Sequence, residues 1–194
     1  MTRIGIFLFE QVEELDAVGP WEVFGMWAKA CPEEAELVAF AQAPGPVRAA
    51  KGLTLHADHG IDDVGRLDVL VHPGGAGTRP QLKDAGHLAW VRDQRSQVPL
   101  MASVCTGSLV YAAAGLLEGR PATTHWGSLD RLAELDPSID VRRADRFVDD
   151  GDVVTSSGVS AGIDMALHLV ARLAGADRAR QVRRNMQYDP QPPI

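Results

Sequence analysis

The sequence predicts an α/β fold, a mostly parallel sheet covered by helices on both faces. Three observations carry that expectation. Short, nearly continuous apolar runs at residues 4–9, 35–41, 67–72 and 100–104 suit strands buried on both sides. Segments of helical length with one apolar face lie between several of them. Gly- and Pro-rich turns mark the joints. Strands alternating with helices pair in parallel through right-handed crossovers, which leaves the carboxyl edge of the sheet open for a site.

The elements follow in order. Residues 4–9, Ile-Gly-Ile-Phe-Leu-Phe, form a first strand, and a loop leads to Leu15. Asp16-Ala-Val-Gly19-Pro20 opens a helix, with Pro20 in its first turn and Val23, Phe24 and Trp27 on one face. On this reading Asp16 can be a plain helix cap or a functional acid. Cys31-Pro32 breaks the helix and residues 35–41 form the second strand. Ala43-Pro-Gly-Pro46 is a turn. Residues 47–59, with alternating Leu53, Leu55 and Ala57, form a peripheral hairpin. The strand at 67–72 runs into Pro73-Gly74-Gly75-Ala76-Gly77. No Lys-Ser/Thr follows and the G-x-G-x-x-G spacing is absent, so this is no phosphate loop. It is either a tight strand-to-helix turn or a loop that presents bare backbone N–H groups. Residues 86–97 form a helix with Leu88 and Val91 inward.

The centre of the chain is 98–114. A buried strand at 100–104 meets a helix of small apolar residues at 108–114 through Cys105-Thr106-Gly107. A cysteine at such a turn stands at the mouth of the sheet. The N-terminus of the next helix favours thiolate there and can hold developing negative charge. The same strand–turn–helix arrangement serves as a nucleophile elbow in hydrolytic folds. A small buried hydrophobe is the plainer use of a cysteine. Gly115 ends the helix. Residues 121–126 are extended and 127–135 helical. Strands at 139–142 and 146–148 follow, and Asp149-Asp150-Gly151-Asp152 turns a hairpin into Val153-Val154. The helix at 161–174 places Ile163, Leu167, Val170 and Ala174 on one face. A last helix covers 177–186, and Pro190, Pro192 and Pro193 make the tail extended. Residues 1–194 read as one domain, with no repeat or composition break.

Composition excludes several functions. A net charge of −7 argues against a nucleic-acid surface. No stretch is apolar enough to span a bilayer, and no signal pattern precedes the first strand. Two distant cysteines, Cys31 and Cys105, make no disulfide framework and suit a reducing cytosol. The His and Cys residues lack zinc-ligand spacing, so no metal is expected. Of the four tryptophans, Trp126, beside His125, is the best pocket candidate, because core packing is the commoner use of an aromatic.

Taken together, His72-Pro-Gly-Gly75, Ser103-Val-Cys105-Thr-Gly-Ser-Leu109 and Thr123-Thr-His125-Trp126 resemble the DJ-1/PfpI superfamily, the class I glutamine amidotransferase-like group. Leu15-Asp16 with Gly19-Pro20, Ala113-Ala-Gly-Leu-Leu117 and Ala161-Gly-Ile-Asp164 agree in order and spacing. The resemblance implies a flavodoxin-like three-layer sandwich. Within the superfamily the pattern is most similar to the isonitrile hydratases, lyases that turn an isonitrile into an N-substituted formamide. Cys105 would then be the nucleophile, and Asp16 the acid that hydrogen-bonds it and works as general acid and base. Thr106 would supply a backbone N–H and a hydroxyl beside the sulfur, and Gly75 a second backbone N–H. Gly74, His125 and Trp126 would line the substrate pocket. No cofactor, a small-molecule substrate and a homodimer are implied. PfpI-type peptidases carry histidine directly after the cysteine, and Thr106 stands there in this chain. A glyoxalase- or deglycase-type enzyme acting on reactive aldehydes is a second reading, although its usual glutamate is aspartate here. A ligand- or redox-sensing module is a third. The related AraC-type regulators add a helix-turn-helix segment, for which a chain ending at Ile194 leaves no room.

Overall fold

The computed structural model describes residues 1–190. The chain order is β1 (Thr2–Phe7), α1 (Glu14–Ala30), β2 (Ala35–Ala41), β3 (Gly45–Arg48), β4 (Thr54–Ala57), β5 (His59–Gly60), β6 (Val69–His72), α2 (Thr78–Gln81) and α3 (Ala85–Gln97). Then come β7 (Leu100–Val104), α4 (Gly107–Ala113), β8 (Pro121–Ala122), a 3₁₀ turn (Trp126–Ser128), α5 (Leu129–Leu135), β9 (Asp140–Val141), β10 (Phe147–Asp149), β11 (Val153–Ser156), α6 (Ala161–Ala174) and α7 (Ala176–Asn185).

A seven-stranded sheet in the order β10-β11-β7-β6-β1-β2-β5 forms the middle layer. It is parallel except where β10 pairs antiparallel with β11. Each central strand sends alternate side chains to opposite faces, as pleating requires. Ile4, Ile6, Val69, Val71, Ala102, Val104 and Val154 face one apolar layer, which includes Trp27, Met165 and Leu169 from α1 and α6. Phe7, Leu70, Met101 and Val153 face the other, with Val91, Val110 and Leu132 from α3, α4 and α5. Burial on both faces is why these strands read as unbroken apolar runs.

Several expectations change. The α1 helix starts at Glu14, so Asp16 is its third residue, makes no capping bond, and Pro20 lies beyond the first turn. The buried stripe of α6 is Met165, Ala166, Leu169 and Val170, while Ile163, Leu167 and Ala174 pack at its edge. Ala112 and Ala161 are buried, so their helices cover the sheet. The extended tail expected at Pro192 and Pro193 lies outside the described residues. No helix among the described residues is long and apolar enough to cross a membrane.

The order of strands reverses between β1 and β6: β2 lies on one side of β1, and β6, β7 and β11 follow on the other. The carboxyl edge at such a reversal opens a crevice. The segments after β1, β6, β7 and β11 all meet there.

Candidate active site

The elbow is set by backbone strain held in place. Cys105 has φ +56°, a left-handed conformation that non-glycine residues seldom adopt. Its N–H donates to Ser156 O at 3.1 Å, and its own carbonyl accepts from Ser108 Oγ (3.1 Å) and Thr124 Oγ1 (2.9 Å). Gly107 must be glycine for a different reason: a Cβ there would meet His72 O at 2.2 Å. Close approach of α4 to the loop after β6 is thus built into the turn.

The loops after β1 and β6 are zipped together. Val12 bridges Gly75, Glu13 N–H donates to Gly74 O at 2.8 Å, and Gly77 N–H donates to Gln11 O at 3.1 Å. Gly75 adopts φ +128°, and a Cβ on it would meet Gln11 O at 2.4 Å. A buried, neutral His72 steadies the second loop, its Nδ1–H donating to Pro73 O at 2.8 Å. Burial pushes His72 down to about 3.

That zipper carries Asp16 to the cysteine. Asp16 has no exposed surface, and its Oδ2 accepts from Gly74 N–H at 2.9 Å. Its Oδ1 has no conventional hydrogen-bond partner, and the Cys105 thiol faces the carboxyl. Burial raises Asp16 to about 7, and the nearby Glu13 adds to the rise. Burial, then the negative charge of Asp16, pushes the Cys105 thiol up to about 12. Burial and the facing carboxyl of Asp16 work against the pull of the α4 N-terminus and favour the protonated thiol.

Two backbone N–H groups point to the sulfur and favour its charged form, those of Thr106 and Val159. Thr106 N–H was expected; Val159 was not. Its φ is +52°, an outlier for a β-branched residue, and it follows β11, the neighbour of β7. The signal available in the sequence was that Ser156–Ser160 ends a strand at the same sheet edge. The Thr106 hydroxyl accepts from Gly75 N–H at 2.9 Å and from Thr78 Oγ1 at 3.2 Å. The hydroxyl therefore ties the β6 loop to the elbow, and Gly75 N–H is already engaged. Gly74 holds Asp16 and does not line the cleft.

A cleft of about 700 Å³ opens over the thiol. Cys105, Thr106, Gly75, Val159, His125 and Trp126 all line it. His125 Nδ1 accepts from Gly127 N–H at 3.2 Å, and its ring packs on Gly158, where a Cβ would come within 2.4 Å. Trp126 is 80% exposed, so it stands at the rim rather than inside.

The signature of the DJ-1/PfpI family matches residues 2–172. The chain belongs to that family. Isonitrile hydratase from Pseudomonas putida is 41% identical over 192 residues, which is 99% of this chain and 81% of that protein. The crystal structure of a ThiJ/PfpI family protein from Pseudomonas syringae superposes with a TM-score of 0.89 at 33% identity, covering 100% of this chain and 77% of that one. The HTH-type transcriptional regulator CdhR from Pseudomonas aeruginosa is 34% identical over 138 residues, 71% of this chain but 40% of the regulator. This DJ-1/PfpI chain thus carries the elbow cysteine and a three-layer, flavodoxin-like architecture.

Proposed function

We propose that this DJ-1/PfpI chain is an isonitrile hydratase, a lyase that adds water to R–N≡C through a thioimidate on Cys105. The observation that carries the reading is the buried Asp16 carboxyl facing a strained elbow thiol at the floor of an open cleft. Similarity to an isonitrile hydratase, 41% identical over 99% of this chain, supports it. A carboxylate and a thiol sharing one proton can both give and take it.

Asp16 takes the thiol proton, and the sulfur bonds to the terminal carbon of the isonitrile. The electron pair left on that carbon takes the proton back from Asp16, giving S–CH=N–R. Water adds across C=N, its oxygen to carbon and a proton to nitrogen, with Asp16 as the relay. The C–S bond then breaks, the sulfur keeps the pair and regains a proton, and R–NH–CHO leaves. The N–H groups of Thr106 and Val159 stabilise sulfur whenever it carries charge. His125 lines the cleft and Trp126 stands at its rim.

Two further features complete the reading. Leu15, Val18, Trp21 and Leu53 are exposed apolar side chains around α1 and the β3–β4 hairpin, and three of them share one apolar cavity. A second copy of the chain covering this patch gives a homodimer. Both cysteines are free, which fits a reducing cytoplasm.

The test is turnover of cyclohexyl isonitrile, followed through the formyl proton by NMR. We expect formamide in proportion to isonitrile consumed. Consumption of methylglyoxal without formamide would make the chain an aldehyde enzyme. Binding of isonitrile without turnover would favour the sensing domain suggested by the match to CdhR.

A further inference from the structure

The cleft above Cys105 has a charge pattern that hydration of an isonitrile does not use. Its wall is apolar, from Leu82, Leu109 and Leu135, with Trp126 at the rim. Its rim carries Arg79, Lys83 and Arg131. Arg131 is paired with Glu134 at 3.1 Å. Among the described residues Arg79 and Lys83 have no ion-pair partner, and both are exposed. The one carboxylate lining the cleft, Glu13, is held by Lys51. Asp16 lies buried behind the thiol. A chain of net charge −7 therefore presents unopposed positive charge at the entrance to its reactive thiol.

Resting on the hydratase reading, we propose that the natural substrate is an isonitrile bearing a carboxylate, separated from the reacting carbon by an apolar chain. The carbon end reaches Cys105, the chain lies on the leucines and Trp126, and the carboxylate meets Arg79 and Lys83. Exposed cations attract such a group without holding it tightly, so the N-formyl product, which keeps the carboxylate, can leave. Isonitrile groups derive from amines, so an amino acid is the class of precursor that leaves a carboxylate on the chain.

The experiment compares kcat/KM for straight-chain ω-isocyanoalkanoates and their methyl esters, in the native chain and in the Arg79→Gln/Lys83→Gln double variant. A second readout does not need the hydratase: alkylation of Cys105 by iodoacetate and by iodoacetamide, followed by mass spectrometry of its peptide. We expect the acid-to-ester ratio, and the iodoacetate-to-iodoacetamide ratio, to fall about tenfold in the variant at low salt, and less in high salt. Formamide from the esters with both ratios unmoved by the substitutions overturns the anionic substrate and leaves the hydratase standing. Charge-sensitive alkylation with no formamide from any compound overturns the hydratase reading and keeps the anion-attracting rim.

Discussion

Cys105 and Cys31 are the same residue, both free thiols, with 6% and 7% of their surface exposed. Exposed surface does not separate them; position in the fold does. Cys31 follows α1 at φ −141°, an ordinary extended conformation, at the amino edge of the sheet. Its neighbours are Glu33 and Glu34, and Arg178 is paired with Glu34 at 2.6 Å. The ligand atoms of Cys31, Glu33 and Glu34 lie within 4.8 Å of one another. Partial burial, opposed by Arg178, moves the Cys31 thiol up. Cys105 stands at the carboxyl edge, strained, faced by a carboxyl and open to a cleft. Reactivity at a thiol depends on its proton partner and its access, not on how little of it is exposed.

The largest effect that sharpens this contrast is loss of turnover. Cys105→Ala should abolish formamide production while Cys31→Ala keeps it, both followed by NMR; turnover surviving in Cys105→Ala would break the contrast. Next, Asp16→Asn should lower kcat by about 10²–10⁴, the usual contribution of a positioned acid–base group. In the native chain kcat/KM should rise with pH through about 7, as Asp16 ionises and can take the thiol proton. That limb should vanish in the variant.

Stability offers two smaller tests. Asp16 binds its proton more tightly folded, near 7, than at its ordinary 3.8. The native state therefore holds more protons than the unfolded chain across that window, and stability should fall as pH rises through it. Each unit of displacement is worth about 1.4 kcal/mol, and urea titrations of the native chain and Asp16→Asn at several pH values would show the difference. Gly107→Ala forces a Cβ against His72 O and should cost about 1–3 kcal/mol, read from the same urea midpoints. An unchanged midpoint would mean that the elbow does not need the close approach.

Legibility in the sequence divides along the same line. The strands at 35–41 and 100–104 and the helix at 161–174 were readable to the residue, because apolar runs and helical spacing report burial directly. The elbow was readable from its strand–turn–helix context. Contacts that depend on how separate loops meet were not. Asp16 read locally as either a cap or a functional acid, and only the family resemblance placed it beside Cys105, because its backbone partner, Gly74, is 58 positions away. The position of Val159 at the sheet edge was legible from the strand end at Ser156–Ser160, but its positive φ, which aims the N–H, has no local sequence sign. The bond from Gly75 N–H to the Thr106 hydroxyl joins two loops 31 positions apart, which no local pattern reports. Trp126 followed the motif but ended at the rim, since the short turn it starts has no core beneath it.

The most direct test is a rapid acid quench during turnover of an isonitrile, followed by peptide mass spectrometry. The peptide containing Cys105 should carry the mass of one isonitrile, and the Cys31 peptide should carry none. No adduct on Cys105 while formamide accumulates, or an adduct found on Cys31 instead, would contradict covalent catalysis at the elbow.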